Sequence, residues 1–191
     1  MAILDEILEH NGAFVESRQY EPLRTDRFPS KRLVILTCMD TRLVELLPKA
    51  MGVRNGEVKL IKNAGAIVSH PFGSVMRSIL IAVYELGARE IAVVGHDGCG
   101  MAGLNCQGVL DKMRQRGVSD QVLATLQNAG INLHTWLAGF ERVEDGVRQS
   151  VEMIRLHPLL PRDVCVHGLV MNPETGLLRL LTRGDPAPAA C

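Results

Sequence analysis

The sequence is poor in several features, and each shortage argues against a class of protein. Aromatic residues make up only 4% of the 191 residues, and 21 basic residues are balanced by 21 acidic ones. A net charge of zero provides no broad field that would attract nucleic acid or an anionic membrane surface. No apolar run reaches the roughly 18 residues that a membrane-spanning helix needs. We therefore expect a soluble protein that acts on a small molecule and has neither nucleic acid nor a membrane as its partner.

Cysteine is scarce as well. The five cysteines are Cys38, Cys99, Cys106, Cys165 and Cys191. Their odd number and wide spacing are unlike a secreted disulfide scaffold, which packs more cysteines into a shorter chain. The N-terminal segment carries Asp5, Glu6 and Glu9 where a secretory signal would have a basic start. A reducing, cytoplasmic location is therefore expected.

The order of apolar segments indicates the fold class. Hydrophobic residues make up 47% of the chain, enough for one domain with a sizeable core. Past Lys31, β-branched runs alternate with segments of helical periodicity, and this βαβαβ pattern predicts a parallel sheet buried on both faces. Strands are predicted at 32–37, 57–61, 90–95, 164–170 and 177–181, and helices at about 43–51, 73–87, 119–128 and 141–157. The expected fold is a single α/β domain: a mostly parallel central β-sheet flanked by helices, with the last two strands forming a C-terminal hairpin.

An amphipathic helix is predicted near the N-terminus. Residues 3–14 carry apolar side chains at positions 3, 4, 7, 8 and 14, and a polar loop from 16 to 31 connects them to the domain. This arm helix needs a surface to lie against, either its own core or a partner chain. The chain is therefore divided into an N-terminal helix and arm (1–30), an α/β domain (31–183) and a Pro/Ala-rich tail (184–191) that is expected to be disordered.

Two short motifs follow predicted strands and carry the residues best suited to chemistry. The first strand is followed by Cys38-Met39-Asp40-Thr41-Arg42, and the third by His96-Asp97-Gly98-Cys99. The carboxyl ends of parallel strands share one edge of a sheet, where open α/β folds bind their ligands, so the two motifs are expected to meet. Two thiolates and one imidazole are typical zinc ligands, and three protein ligands leave a fourth position open, as in catalytic zinc sites. The motifs therefore predict a zinc enzyme.

Other interpretations of these residues account for less. A redox pair of Cys38 and Cys99 would leave His96 and Asp40 without a role. The glycines around His96 lack the spacing of a dinucleotide site, and Cys38 and Arg42 are too close for a phosphatase loop. Asp40 and Arg42 would also serve as an ion pair at the start of the following helix, which is compatible with a catalytic role. Residues without a motif are Cys106, expected on a loop, and His10, His134 and His157, expected at the surface or in helices.

The two motifs resemble those of a known family. Cys38-x-Asp40-x-Arg42 and His96-x-x-Cys99-Gly100 are similar to the signature of the β-class carbonic anhydrases. Lys62-Asn63-Ala64-Gly65-Ala66 resembles that family's segment after its second strand, and Val166-His167-Gly168 through Thr175-Gly176 resembles its terminal hairpin. The similarity covers residues from about 30 to 182, and the short length and the run His70-Pro71-Phe72-Gly73 resemble the compact prokaryotic branch.

The resemblance implies a set of roles. Cys38, His96 and Cys99 would bind one Zn²⁺ per chain, and Asp40 and Arg42 would be the catalytic pair beside it, with Asp40 becoming a fourth ligand in a closed state. The implied reaction is the reversible hydration of CO2 to bicarbonate and a proton by zinc-bound hydroxide. Two alternatives stay open: hydrolysis of carbonyl sulfide or carbon disulfide at the same site, and a noncatalytic zinc protein that senses bicarbonate. The resemblance also implies a homodimer or a multiple of dimers.

Overall fold

The computed structural model describes residues 2–185, in which one five-stranded sheet is flanked by helices. The strands are β1 (Leu33–Cys38), β2 (Val58–Asn63), β3 (Glu90–His96), β4 (Cys165–Met171) and β5 (Leu178–Thr182). The helices are α1 (Ile3–Glu16), α2 (Leu43–Ala50), α3 (Ser74–Tyr84), α4 (Cys106–Gln115), α5 (Asp120–Asn128), α6 (Leu133–Trp136) and α7 (Val143–Arg155). None of the helices within this range is both long and apolar enough to span a bilayer.

The strands lie in the order β2-β1-β3-β4-β5. The first four are parallel and β5 runs antiparallel to β4, so the predicted C-terminal hairpin and mostly parallel sheet are confirmed. The chain moves outward from β1 to β2 and then returns to the other side of β1 as β3. This reversal places the carboxyl ends of β1 and β3 side by side at the centre of the sheet, where such folds bind ligands.

The central strands β1 and β3 are buried on both faces, as their continuous apolar runs predict, whereas the edge strands β2 and β5 are partly exposed. Alternate residues of β1 point to opposite sides, so Val34 and Leu36 pack against α3 and α7, while Ile35 packs against α2. Helix α2 contributes Leu43 and Leu47, both fully buried, to this second core. The end of β1 and the start of α2 are therefore fixed on either side of the segment that carries Asp40.

A third, smaller core lies in the connection between β3 and α7. Helices α4, α5 and α6 contribute one buried leucine each, namely Leu110, Leu123 and Leu133. The prediction that Cys106 lies on a loop is wrong, because Cys106 is the first residue of α4. The side chain of Asn105 caps that helix by accepting hydrogen bonds from the amides of Gln107 and Gly108. Most of this helix is polar, its large apolar residues are only Val109, Leu110 and Met113, and Gly108 lies in its first turn, so its composition did not favour a helix.

Helix α1 lies apart from the sheet. None of its side chains is buried against the described chain, although Ile3, Leu4, Ile7 and Leu8 form an apolar stripe. The segment after it is tied to the domain by backbone hydrogen bonds, including one from the Ser30 amide to the Gly56 carbonyl. Of the two surfaces considered for this helix, its own core is therefore not the one it covers.

Candidate metal centre

The structure brings Cys38, His96 and Cys99 together, as their positions at the ends of β1 and β3 predict. Their ligand atoms all lie within 4.8 Å of one another, and all three residues are buried. Cys38 and His96 are the last residues of their strands, and Cys99 returns to the same point after a tight turn at Gly98, whose φ is +64°. Glycine is favoured there because other residues rarely adopt that conformation.

The arrangement fits a zinc ion. The two sulfur atoms of Cys38 and Cys99 are 3.8 Å apart, and tetrahedral zinc with Zn–S distances of about 2.3 Å requires about 3.8 Å between its sulfurs. His96 Nε2 is fully buried yet finds no hydrogen-bond partner among residues 2–185. A buried nitrogen without a partner is costly, and coordination to a metal would satisfy it.

Protonation of the thiols differs between the two cysteines. Burial by itself raises the pKa of the Cys38 thiol, but the His96 ring and the backbone amides of Gly65 and Asp40 stabilise the thiolate more and lower the pKa to about 7. The amide of Gly65 lies 3.4 Å from Cys38 Sγ. Burial raises the pKa of the Cys99 thiol to about 11, and repulsion from the Cys38 thiolate adds to the shift. The backbone amide of Met101 opposes it. Cys38 is thus the more readily ionised of the two thiols, and a bound metal would deprotonate Cys99 as well.

A hydrogen bond to the backbone fixes the orientation of the His96 ring. Its Nδ1 lies 3.0 Å from the carbonyl oxygen of Asp97, which leaves Nε2 pointing toward the two sulfurs and 3.7 Å from Asp40 Oδ2. Contact with the Cys38 thiolate raises the pKa of the ring, with burial opposing the shift. A zinc-ligating histidine commonly donates its second N–H in this way.

Asp40 and Arg42 form a bidentate pair at the rim of the metal centre. Arg42 Nε and Nη2 lie 2.9 and 2.8 Å from the two Asp40 oxygens, and the Arg42 amide donates to Asp40 Oδ1 at 2.9 Å. These hydrogen bonds hold the pKa of the Asp40 carboxyl far below its usual range. Arg42 also donates to the carbonyl of Gly98 at 3.2 Å, which connects the pair to the turn between His96 and Cys99. The Asp40 carboxylate accepts a hydrogen bond from the Arg42 amide just before α2 begins, so the interpretation of an ion pair at the helix start agrees with the structure too.

The segment after β2 closes the centre on one side, and sequence reasoning reached it only through family resemblance. The side chain of Asn63 clamps it, since Nδ2 donates to the Ile67 carbonyl at 2.6 Å and Oδ1 accepts from the Ile67 amide at 3.1 Å. Gly65 has a φ of +78°, and a Cβ there would come within 2.9 Å of Met101 Cγ. The local signal was an Asn and a Gly after a strand, which indicates a turn but does not show that its amide reaches a sulfur.

Known proteins share this fold and sequence. Residues 33–178 match the carbonic anhydrase family. YvdA of Bacillus subtilis, provisionally named a carbonic anhydrase, is 60% identical over 184 residues, which cover 96% of this chain and 93% of YvdA. The crystal structure of β-carbonic anhydrase isoform I from Trichomonas vaginalis superimposes with a TM-score of 0.88 at 32% identity, covering 96% of this chain and all of that one. A carbon disulfide hydrolase of Acidithiobacillus thiooxidans is 28% identical over 88% of this chain and 80% of its own.

Proposed function

Because the chain belongs to the β-carbonic anhydrase family, whose members are zinc enzymes, we propose that it catalyses the reversible hydration of CO2 to bicarbonate and a proton. The proposal places one zinc ion on Cys38, His96 and Cys99. The observation that carries it is the buried, unpartnered His96 Nε2 directed at two sulfurs whose separation suits tetrahedral zinc. Three protein ligands leave a fourth position for water, as a catalytic centre requires.

Zinc held by these ligands supplies a Lewis acid that lowers the pKa of a coordinated water. Two thiolate ligands offset the charge of the ion, so hydrogen-bonding groups of the protein carry more of the task of orienting the nucleophile. Asp40 is the group in position to do so, because its Oδ2 is 3.7 Å from His96 Nε2 and its side chain is 19% exposed. Its depressed pKa keeps it ionised at neutral pH, where it accepts a hydrogen bond from the attacking water.

Arg42 acts through Asp40 in this proposal. Its guanidinium occupies both carboxylate oxygens, which fixes the plane of the carboxylate and leaves the remaining lone pairs for the nucleophile. The same contacts oppose the closed state in which Asp40 becomes a fourth ligand, because Asp40 would have to give up at least one of them. The pairing of Asp40 with Arg42 therefore supports an open, reactive centre in this proposal.

Hydrolysis of carbon disulfide or carbonyl sulfide is the second candidate. Both molecules are linear and carry an electrophilic carbon, so the same nucleophile can attack them, and a related carbon disulfide hydrolase matches most of this chain. The higher identity to YvdA and the closer structural match to a β-carbonic anhydrase favour CO2. A noncatalytic bicarbonate sensor is disfavoured, since a purely structural zinc site needs neither Asp40 nor Arg42.

A homodimer is part of the proposal. Helix α1 presents an apolar stripe in which Ile3 is 71% and Leu8 is 60% exposed, and nothing in the described chain covers it. An exposed stripe of this size on an amphipathic helix is typical of an interface, and a second copy of the chain is the simplest partner. The acidic residues Asp5 and Glu6 on the same helix keep its other side solvated.

A reducing, cytoplasmic setting also belongs to the proposal. Cys38 and Cys99 must both be available as thiolates to bind a metal, and the structure has both as free thiols. Cys106 and Cys165 are free as well, and neither lies near the metal centre. Such thiols persist where glutathione and thioredoxin keep cysteines reduced.

The test is stopped-flow CO2 hydration at alkaline pH, on protein whose zinc content has been measured. We expect turnover far above that of buffer, about one zinc per chain, and much slower release of sulfide from carbon disulfide. Fast sulfide release with slow CO2 hydration would instead establish the second candidate. Zinc-loaded protein that turns over neither substrate would contradict both enzymatic assignments.

Two variants assign the roles. Asp40→Asn should keep its zinc and lose about 10²-fold or more in turnover, because the group that orients the nucleophile is gone. Cys99→Ser should lose zinc. Cys106→Ser is the matched control for the second variant, since Cys106 lies in the separate helical connection, where its thiol donates to the Leu133 and His134 carbonyls. Full activity in Asp40→Asn would remove Asp40 from the proposed chemistry.

A further inference from the structure

Arg179 of β5 reaches across the sheet to the turn that carries the metal ligands. Its Nη2 lies 2.8 Å from Asp97 Oδ1, and Asp97 directly follows His96. In the sheet register, His96 is opposite Met171 of β4, and Arg179 is opposite Val170, so the arginine side chain spans the end of β4 to make this contact. A residue far along the chain therefore holds the loop between His96 and Cys99.

The guanidinium of Arg179 is itself held on its other side. Glu144, in the first turn of α7, accepts from Arg179 Nη2 at 3.3 Å and from Nη1 at 3.4 Å. The Glu144 side chain is only 19% exposed, and α7 packs along the buried face of the sheet through Val147 and Val151. Arg179 and Asp97 are 45% and 41% exposed, but Glu144 connects the guanidinium to a packed helix, so the ion pair is not isolated at the surface.

Asp97 transmits this restraint to a metal ligand through its backbone. Its amide donates to the Met171 carbonyl at 2.9 Å, and its own carbonyl lies 3.0 Å from His96 Nδ1. The carboxylate that Arg179 holds and the carbonyl that orients the imidazole belong to the same residue. A shift of the Asp97 backbone would change the direction of the hydrogen bond to His96, and the ion pair with Arg179 opposes such a shift.

The turn is also held from the opposite side, by a second arginine. Arg42 donates to the carbonyl of Gly98, the residue next to Asp97, at 3.2 Å. The two arginines therefore hold consecutive residues of the turn from different parts of the fold, one from the end of β1 and one from β5. Arg42 belongs to the proposed catalytic pair. Arg179, in contrast, forms its ion pairs with Asp97 and Glu144 and not with the metal ligands or Asp40.

We propose that Arg179 is a positioning residue of the metal centre, which acts with Glu144 through Asp97 to fix the orientation of His96. This inference depends on the proposed function, because it takes His96 as a zinc ligand. Arg179 supplies no group to the reaction. It restricts the turn so that His96 Nε2 stays directed at the position between the two sulfurs, and the entropic cost of ordering the ligands is then smaller when zinc binds.

Two measurements test the proposal. The first is zinc affinity, determined by competition with a chelating dye, and the second is the absorption spectrum of the cobalt(II)-substituted protein. Arg179→Met keeps the length of the side chain but removes both ion pairs, and we expect zinc to bind about tenfold more weakly and the cobalt bands to shift. Arg179→Lys, which can keep one contact to Asp97, should lie between. Arg183→Met is the control, since Arg183 is exposed just beyond β5 and has no ion pair among residues 2–185.

A double-mutant comparison separates positioning from a general loss of structure. In an Asp97→Asn background the route through the carboxylate is already weakened, so adding Arg179→Met should change zinc affinity much less than it does alone. Equal zinc affinity and cobalt spectra in Arg179→Met and Arg183→Met would overturn the proposal, as would a full additional effect in the Asp97→Asn background. Failure of the ligand assignment itself is distinct, because it would appear as retained zinc in Cys99→Ser.

Discussion

Gly95 directly precedes His96 on β3 and lies beneath α7, where an added methyl group has no room. A Cβ at this position would be 2.7 Å from Cγ2 of Val143 and 2.7 Å from Cγ2 of Val147. Carbon atoms in good contact are about 3.5–4.0 Å apart, so both valine methyls would have to retreat by about 0.8 Å or more. Valine in a helix strongly prefers one χ1 rotamer, which means that α7 or β3 must shift instead of the side chains.

We therefore predict that Gly95→Ala destabilises the fold by about 2 kcal/mol, within the range of about 1–3 kcal/mol for overpacked cores. With a urea slope of about 2 kcal/mol per molar, the unfolding midpoint would fall by about 1 M. Because His96 is the next residue, the same shift should weaken zinc binding. Gly100→Ala is the control: it is equally close to a ligand, but its Cβ would have nothing within 4 Å.

The clash argument has a sharper test in a double variant. Val147→Ala alone removes buried methyl groups and should destabilise the protein, but in combination with Gly95→Ala it also removes one of the two contacts that cause the strain. The two changes should therefore cost less together than the sum of their separate costs. Urea unfolding of the zinc-free and zinc-loaded proteins measures this. A Gly95→Ala midpoint equal to that of the parent, or strict additivity in the double variant, would refute the reasoning.

Three further predictions concern other parts of the molecule. Ser150→Ala should cost about 1–3 kcal/mol in urea unfolding, because the buried Val68 amide donates to Ser150 Oγ at 3.1 Å and would lose its only partner there; an unchanged midpoint would contradict this. Arg42→Met should lower the free energy of unfolding by an amount that is constant from about pH 5 to 8. The lowered pKa of Asp40 contributes stability above the unfolded carboxyl pKa of about 3.9, and this contribution is lost as pH falls through the depressed pKa in the folded protein. A stability difference that vanishes at neutral pH would show that the pair does not act this way. Ile7→Glu should convert the proposed dimer to a monomer in light scattering, and a parent protein that is already monomeric would overturn the proposed role of α1.

Sequence was sufficient for the sheet and for the residues that meet at its edge. Short, β-branched apolar runs such as Leu33–Leu36 and Ile91–Val94 are typical of buried strands, and parallel strands bring their carboxyl ends together. Cys38, His96 and Cys99 follow from this rule alone, and the structure places their ligand atoms within 4.8 Å. Pairing of Asp40 with Arg42 was equally accessible, since only Thr41 separates them along the chain.

Features that depend on contacts between distant side chains were not accessible in the same way. His157, expected at the surface or in a helix, is 4% exposed just beyond α7, where its Nδ1 accepts from the Leu159 amide at 3.2 Å. A polar residue after a helix is usually solvated, and only the packing of Phe72 against this ring, with centroids 5.3 Å apart, shows otherwise. Arg179 was overlooked for the same reason: an arginine on an edge strand has no pattern that points to Asp97.

The connection between β3 and α7 has a hydrophobic core of its own, separate from the strands that carry the metal ligands. The metal ligands belong to the two central strands and their immediate turn, while Met101 and Phe140, at the two ends of this connection, pack beside Cys38 and Cys99. Between them, α4, α5 and α6 fold around a leucine core of their own. Mutations in α4, α5 and α6 therefore repack this separate core first and leave the ligands of the metal centre in place. Sequence can vary in this part of the chain without disturbing the sheet that positions Cys38 and His96.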